Sequence, residues 1–173
     1  MRHLGLTFAA ATLAAALAGC GKSPSNNQAD QSQASSSAQP TTSAGTQAAE
    51  PTAEEKKQAV ATLPAPYNTG DLDNGEAKFQ VCKSCHTLAA GAADMTGPNL
   101  NGVFGRKVAT KDGFKFSDAL KAQSFTWDAA QLDKWLTDPK AMVPGTKMTF
   151  PGFKDPKDRI DVIAYLKAET SGH

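Results

Sequence analysis

From about residue 66 onward the sequence predicts a small helical domain, on three observations. Ala129, Leu132, Trp135 and Leu136 repeat at intervals of three and four, the spacing of one helix face. Asp155-Pro156-Lys157-Asp158 is a helix start, with an Asp cap, proline at the first helical position and an acid in the first turn. No apolar–polar alternation persists beyond a few residues, so no strand is expected.

The chain opens with a different kind of segment. Met1-Arg2-His3 is a short positive start, and Leu4 to Ala18 is an uncharged apolar run, a secretory signal too short to span a bilayer. It ends in Leu17-Ala18-Gly19-Cys20, which resembles the lipobox of bacterial lipoproteins. That resemblance implies that residues 1–19 are removed and that Cys20 becomes a lipidated N-terminus, several acyl chains giving stable anchoring. Ordinary signal cleavage is the alternative.

Residues 20–66 are expected to be a disordered linker. Ser23 to Gln47 is almost all Ser, Gln, Ala, Thr, Pro, Asn and Gly, and cannot bury enough apolar surface to offset its chain entropy. Within the linker, Thr52 with Glu55 three residues on could cap a short helix, which is marginal alone. A flexible linker of this length spans roughly 35–40 Å r.m.s..

The domain is expected over residues 67–173, a size that makes one core. Asp73-Asn74-Gly75-Glu76 opens its first helix, which runs through Phe79 and Val81 to the cysteines. The second helix is Asp128 to Thr137, stopped by Pro139. The third follows Asp155, with Ile160, Ile163 and Leu166 along one face and Val162 and Tyr165 flanking. Gly- and Pro-rich loops join them. A net charge of +1 argues against a nucleic-acid binder, which needs a basic excess.

Cys82-Lys83-Ser84-Cys85-His86 is the segment that carries chemistry. A C-x-x-C-H run is the attachment signature of covalent haem. On a helix, positions three and four apart share a face, so both thiols and the imidazole can meet one cofactor. The thiols would add to the haem vinyl groups and His86 would bind the iron. A dithiol redox pair wants a βαβ context that is missing here. Structural zinc needs four ligands, and only Cys82, Cys85, His86 and His173 remain as soft candidates in the mature chain. Of the three cysteines, one goes to lipid and two to haem, so no disulfide is needed.

Several motifs in order make a wider resemblance. Gly75 and Phe79 precede Cys82–His86. Thr96-Gly97-Pro98-Asn99-Leu100-Asn101-Gly102-Val103-Phe104-Gly105-Arg106-Lys107 follows, then Phe125-Thr126-Trp127, Pro144-Gly145-Thr146-Lys147-Met148 and Asp161-Val162-Ile163-Ala164-Tyr165-Leu166. From about Asp71 to Glu169 the chain resembles the class I c-type cytochromes, close to the mitochondrial and purple-bacterial soluble type. The resemblance implies an all-α class I cytochrome c fold with one covalent haem c, in which the first and last helices cross where Gly75 packs against Tyr165.

It also implies a ligand set. Met148 lies in the family's ligand loop and is expected opposite His86; Met142 and Met95 are the other methionines of the mature chain. The Pro98 carbonyl should accept the second His86 ring N–H. Arg106, Trp127 and Thr146 resemble the residues that hold the haem propionates. Phe116, Trp135 and Leu120 depart from the mitochondrial pattern, replacing a propionate-bonding tyrosine, a tyrosine that bonds the ligand sulfur and an asparagine that holds an internal water. Thioether ligation and a dry site both favour ferrous iron, so a fairly high potential is expected.

The function so implied is a membrane-tethered monohaem electron carrier rather than an enzyme. It would act as a monomer on the periplasmic face of a bacterial membrane. Its redox partners would be respiratory components, such as a quinol-oxidising cytochrome complex and a terminal oxidase or other reductase. Lys83, Lys115, Lys140 and Lys147 are candidate rim charges for docking. The rival is a peroxidase-like haem enzyme or sensor with a labile sixth ligand. A subunit of a larger complex would share the carrier's chemistry.

Overall fold

The computed structural model describes residues 50–171. Within them lie six α-helices: α1 (Ala53–Ala61), α2 (Leu72–Lys83), α3 (Asp118–Lys121), α4 (Ala129–Thr137), α5 (Pro139–Met142) and α6 (Pro156–Thr170), with one 3₁₀ turn at Tyr67–Thr69. Among the described residues the only β pairing is a single antiparallel bridge between Lys107 and Thr126. The helical expectation holds. The signal, Cys20, most of the linker and His173 lie outside the described residues.

The helix starts follow local chemistry. Asp71 caps α2, its Oδ1 accepting from the Asp73 and Asn74 N–H groups at 3.0 and 3.1 Å, so the helix begins slightly before the expected Asp73. Asp128 caps α4 by accepting from Gln131 N–H at 2.7 Å. Asp155 caps α6 through Lys157 N–H at 2.8 Å. Each carboxylate satisfies donors that the first turn leaves without helical partners. Pro139 ends α4 as expected, yet it also opens α5 at its first position, with Asp138 as cap, because a proline there forfeits no helical hydrogen bond.

Two expectations are corrected. The linker is expected to run as far as residue 66, but α1, within those residues, is packed on the domain. Thr52 and Glu55 form a reciprocal capping box, and Val60 is buried with Ala164 and Ala168 of α6. Lys56 Nζ also meets Glu169 Oε1 at 2.5 Å. Tertiary burial stabilises a helix too short to persist alone. The second correction concerns α6, expected to have one apolar face. Val162, Ile163 and Ala164 are all 0% exposed, because α1, α2, α4 and the 3₁₀ turn all pack on this helix. It is the central element, buried nearly all round.

The α2–α6 crossing positions the site. A Cβ on Gly75 would lie 2.7 Å from Tyr165 Cβ and still closer to the Asp161 carbonyl, so only glycine permits this approach. Beside it the Phe79 and Tyr165 rings meet at a 45° tilt with centroids 5.5 Å apart. Asp161, 1% exposed, clamps the crossing. Its carboxylate accepts from Asp71 N–H at 2.9 Å, Asn74 Nδ2 at 2.6 Å and Lys157 Nζ at 2.5 Å. A buried carboxylate is tolerated because it is fully hydrogen-bonded.

Candidate cofactor site

The α2–α6 pair forms one end of a cavity of about 660 Å³, a volume in the range that encloses most of a bound organic ligand. Phe79, Leu100, Val103, Leu132, Val162 and Leu166 supply apolar wall. Every cofactor residue expected from the sequence lines it: Cys82, Cys85, His86, Pro98, Arg106, Trp127, Thr146 and Met148. Met142 and Met95 do not. Met142 packs against the core, and Met95 is exposed. Only Met148 of the three methionines is therefore placed to meet a group in this cavity.

The C-x-x-C-H run is not wholly helical. α2 ends at Lys83, but Cys85 N–H and His86 N–H both donate to the Cys82 carbonyl, at 3.0 and 2.9 Å. One further helix-like turn keeps the three side chains on one side. The sulfurs are not joined to each other. Burial, with the neighbouring Cys85, pushes the Cys82 thiol up to about 11. A nucleophilic dithiol is activated by the opposite shift, which argues against the redox-pair reading. Nor do three or more His, Cys, Asp or Glu side chains converge as a metal-binding set among the described residues.

His86 is prepared as a ligand. Its Nδ1 lies 2.7 Å from the Pro98 carbonyl oxygen. A carbonyl only accepts, so Nδ1 carries the proton and Nε2 keeps its lone pair. Burial lowers the pKa of the imidazole against the opposing effect of that hydrogen bond, which favours the lone-pair-bearing form. The Gly97 backbone lies against the ring: a Cβ there would fall 2.7 Å from both ring nitrogens. A larger residue would displace the imidazole.

The polar residues gather from separate loops. Trp127 N–H donates to the Arg106 carbonyl at 2.9 Å and Gly105 N–H to the Trp127 carbonyl at 2.8 Å, so the bridge beside Lys107 and Thr126 holds Arg106 and Trp127 together. The Trp127 ring meets Phe125 and Trp135 edge-on, at 4.8 and 5.6 Å between centroids. Arg106 donates to the Asn101 and Asn99 carbonyls at 3.1 and 3.4 Å. Burial lowers its pKa, countered by the field of Asp94, and no carboxylate forms an ion pair with it among the described residues. A half-buried guanidinium at the edge of an apolar cavity fits a ligand with acidic substituents. Thr146 Oγ1 accepts from Met148 N–H at 3.3 Å, holding the ligand loop while its hydroxyl proton stays free to donate. Phe116, Trp135 and Leu120 also line the cavity, so the departures from the mitochondrial pattern all leave it more apolar.

Two features were not legible in the sequence. Val81 lines the cavity while 57% exposed, although it reads simply as part of the first helix. Of the four lysines singled out, only Lys115 and Lys147 reach the cavity. Lys83 instead lies 3.6 Å from Glu76, and Lys140, on α5, is not part of the cavity lining.

Thiols, a neutral histidine, a thioether and a cation around one apolar cavity are a donor set for haem. Comparison with known proteins agrees. The sequence profile of the cytochrome c family matches residues 72–169. Cytochrome c2 of Rhodomicrobium vannielii is 50% identical over 103 residues, covering 60% of this chain and 82% of that protein. Cytochrome c of Cannabis sativa is 47% identical over 103 residues, covering 59% of this chain and 93% of that protein. Among solved structures, cytochrome cH from Methylobacterium extorquens is 51% identical with a TM-score of 0.55, covering 58% of this chain and 100% of that one. These matches and the cavity that accommodates the group place the chain in the cytochrome c family, as an electron-transfer protein with one covalent haem c.

Proposed function

We propose that this cytochrome is a lipid-anchored carrier on the periplasmic face of a bacterial membrane, passing single electrons between respiratory-chain components. The observation that carries the reading is the cavity itself, which brings the C-x-x-C-H turn and the Met148 loop to one apolar space. Cys82 and Cys85 would hold the haem by thioether bonds, and His86 and Met148 would ligate its iron. Haem so held supplies one ferric–ferrous couple. The chain's own residues do the rest. Pro98 fixes the His86 ring, and Arg106, Trp127 and Thr146 receive the propionates. The apolar wall excludes water, which disfavours the extra charge of the ferric state. With His86 and Met148 both on the iron, no open position would remain for a substrate, which argues against the peroxidase-like reading.

Anchoring rests on the signal-like start and Cys20. No helix among the described residues is long and apolar enough to cross a membrane. Because α1 packs on α6, the proposed tether is the stretch from Cys20 to about Thr52. It holds the carrier near membrane-bound donors and acceptors and raises its effective concentration there. A quinol-oxidising complex and a terminal oxidase fit as partners.

Fractionation with a reduced-minus-oxidised spectrum tests the proposal. The haem signal should sediment with membranes and become soluble in Cys20→Ser. A soluble signal in the unaltered protein would refute the anchor, and the absence of a c-type spectrum would refute the site.

A further inference from the structure

Residues 53–69 precede the family-matched region, which begins at residue 72, yet they are folded onto the domain. Their contacts divide into two sets. The first is with α6: Val60 against Ala164 and Ala168, and Lys56 with Glu169. The second comes from the turn after α1. There Leu63 N–H donates to the Val60 carbonyl at 2.9 Å and Tyr67 N–H to the Pro64 carbonyl at 3.0 Å. This turn directs Leu63 into the main core cluster, the one that contains Trp127, rather than into the small cluster of Val60. Leu63 and Trp127 line the same shallow groove, with Phe104 and Ala129 beside them. Trp127 also lines the cofactor cavity. It is thus a wall with two sides, the haem cavity on one and the N-terminal segment on the other.

We propose that residues 53–69 are a buttress for the haem site, in which Leu63 is a positioning residue that holds Trp127 in the cavity wall. The inference rests on the assignment of the cavity to haem. Phe125 and Trp135 meet the Trp127 ring edge-on, and Leu63 shares with Trp127 both the core cluster and the groove. Truncating Leu63 leaves space that core side chains fill only partly. Trp127 then moves, or water enters behind it. Either change makes the haem surroundings wetter, which favours the ferric state and lowers the potential. The segment between the membrane anchor and the family domain thereby has a part in setting the redox poise.

The test uses full-length holoprotein. Leu63→Ala should raise the ferric-to-ferrous ratio about threefold or more at the poise that half-reduces the unaltered protein. It should also alter the Soret circular dichroism, which reports on aromatic rings beside the haem. Val60→Ala is the control: it removes burial from the same segment, in a cluster separate from Trp127, and should lower thermal stability while leaving ratio and dichroism unchanged. Leu63→Met should restore both signals. If Leu63→Ala does not accumulate as holoprotein, Leu63→Val is read by the same criteria and should shift in the same direction by less. Equal loss of stability in the Leu63 and Val60 variants with unmoved ratio and dichroism would overturn the buttress while leaving the haem site intact. A missing c-type spectrum in the unaltered protein would instead overturn the haem assignment.

Discussion

Gly75→Ala puts the α2–α6 crossing to the test, because two effects of opposite sign meet there. In an exposed helix the change would stabilise by up to about 1 kcal/mol, since alanine loses less backbone entropy. At Gly75 the new methyl would lie 2.7 Å from Tyr165 Cβ and closer still to the Asp161 carbonyl. Ordinary carbon contacts need roughly 3.5–4 Å, so the helices must separate by about 1 Å. The obstructing atoms are backbone and Cβ, which no rotamer change removes. Overpacking of this kind costs about 1–3 kcal/mol. Here it also stretches the hydrogen bonds that Asp71 and Asn74 make to Asp161, each worth about 1 kcal/mol or more. The clash wins, with a net loss of roughly 2–3 kcal/mol. For a folded part of this size the melting temperature should fall by roughly 6–12 °C. Guanidinium chloride unfolding of the holoprotein, with thermal melts alongside, measures it. A Gly75→Ala protein as stable as the parent, or more so, would refute the close-approach argument.

The ligand assignment and the buried clamp yield the other predictions. Met148→Ala should abolish the thioether–iron charge-transfer band and allow the reduced protein to bind carbon monoxide; if Met142→Ala did so instead, the ligand loop would be misassigned. Burial pushes the Asp161 carboxyl upward, but Lys157, the Asp71 N–H and the Asn74 amide outweigh it and hold it below the ordinary 3.8. A depressed carboxyl stabilises the fold above the unfolded-state pKa, and the contribution is lost as pH falls through the folded value. Asp161→Asn should therefore be about 1–3 kcal/mol less stable than the parent at pH 7, with the gap closing below about pH 4; a gap independent of pH would contradict the clamp.

Local chemistry explains why much of the site could be read in advance. The C-x-x-C-H spacing needs only one turn of helical backbone to gather Cys82, Cys85 and His86, and Cys82 accepting from both later N–H groups supplies that turn. Asp155 and Pro156 start α6 by bonds within a few residues. Pro98 reaches His86 across twelve residues, and was expected only because a known family has it there. Trp127 and Arg106 likewise came from resemblance; the backbone pairing that holds them together leaves no trace in composition or periodicity.

By itself, then, the sequence determined the attachment turn, the helix caps and the chemical identity of the donors, because these depend on residue type and near neighbours. Only the tertiary structure decided that α6 is enclosed from several sides and that α1 belongs to the folded domain. Those outcomes depend on burial between segments far apart in the chain. Val60 in a charged nine-residue helix carries no sign of being buried until Ala164 and Ala168 of α6 are brought against it.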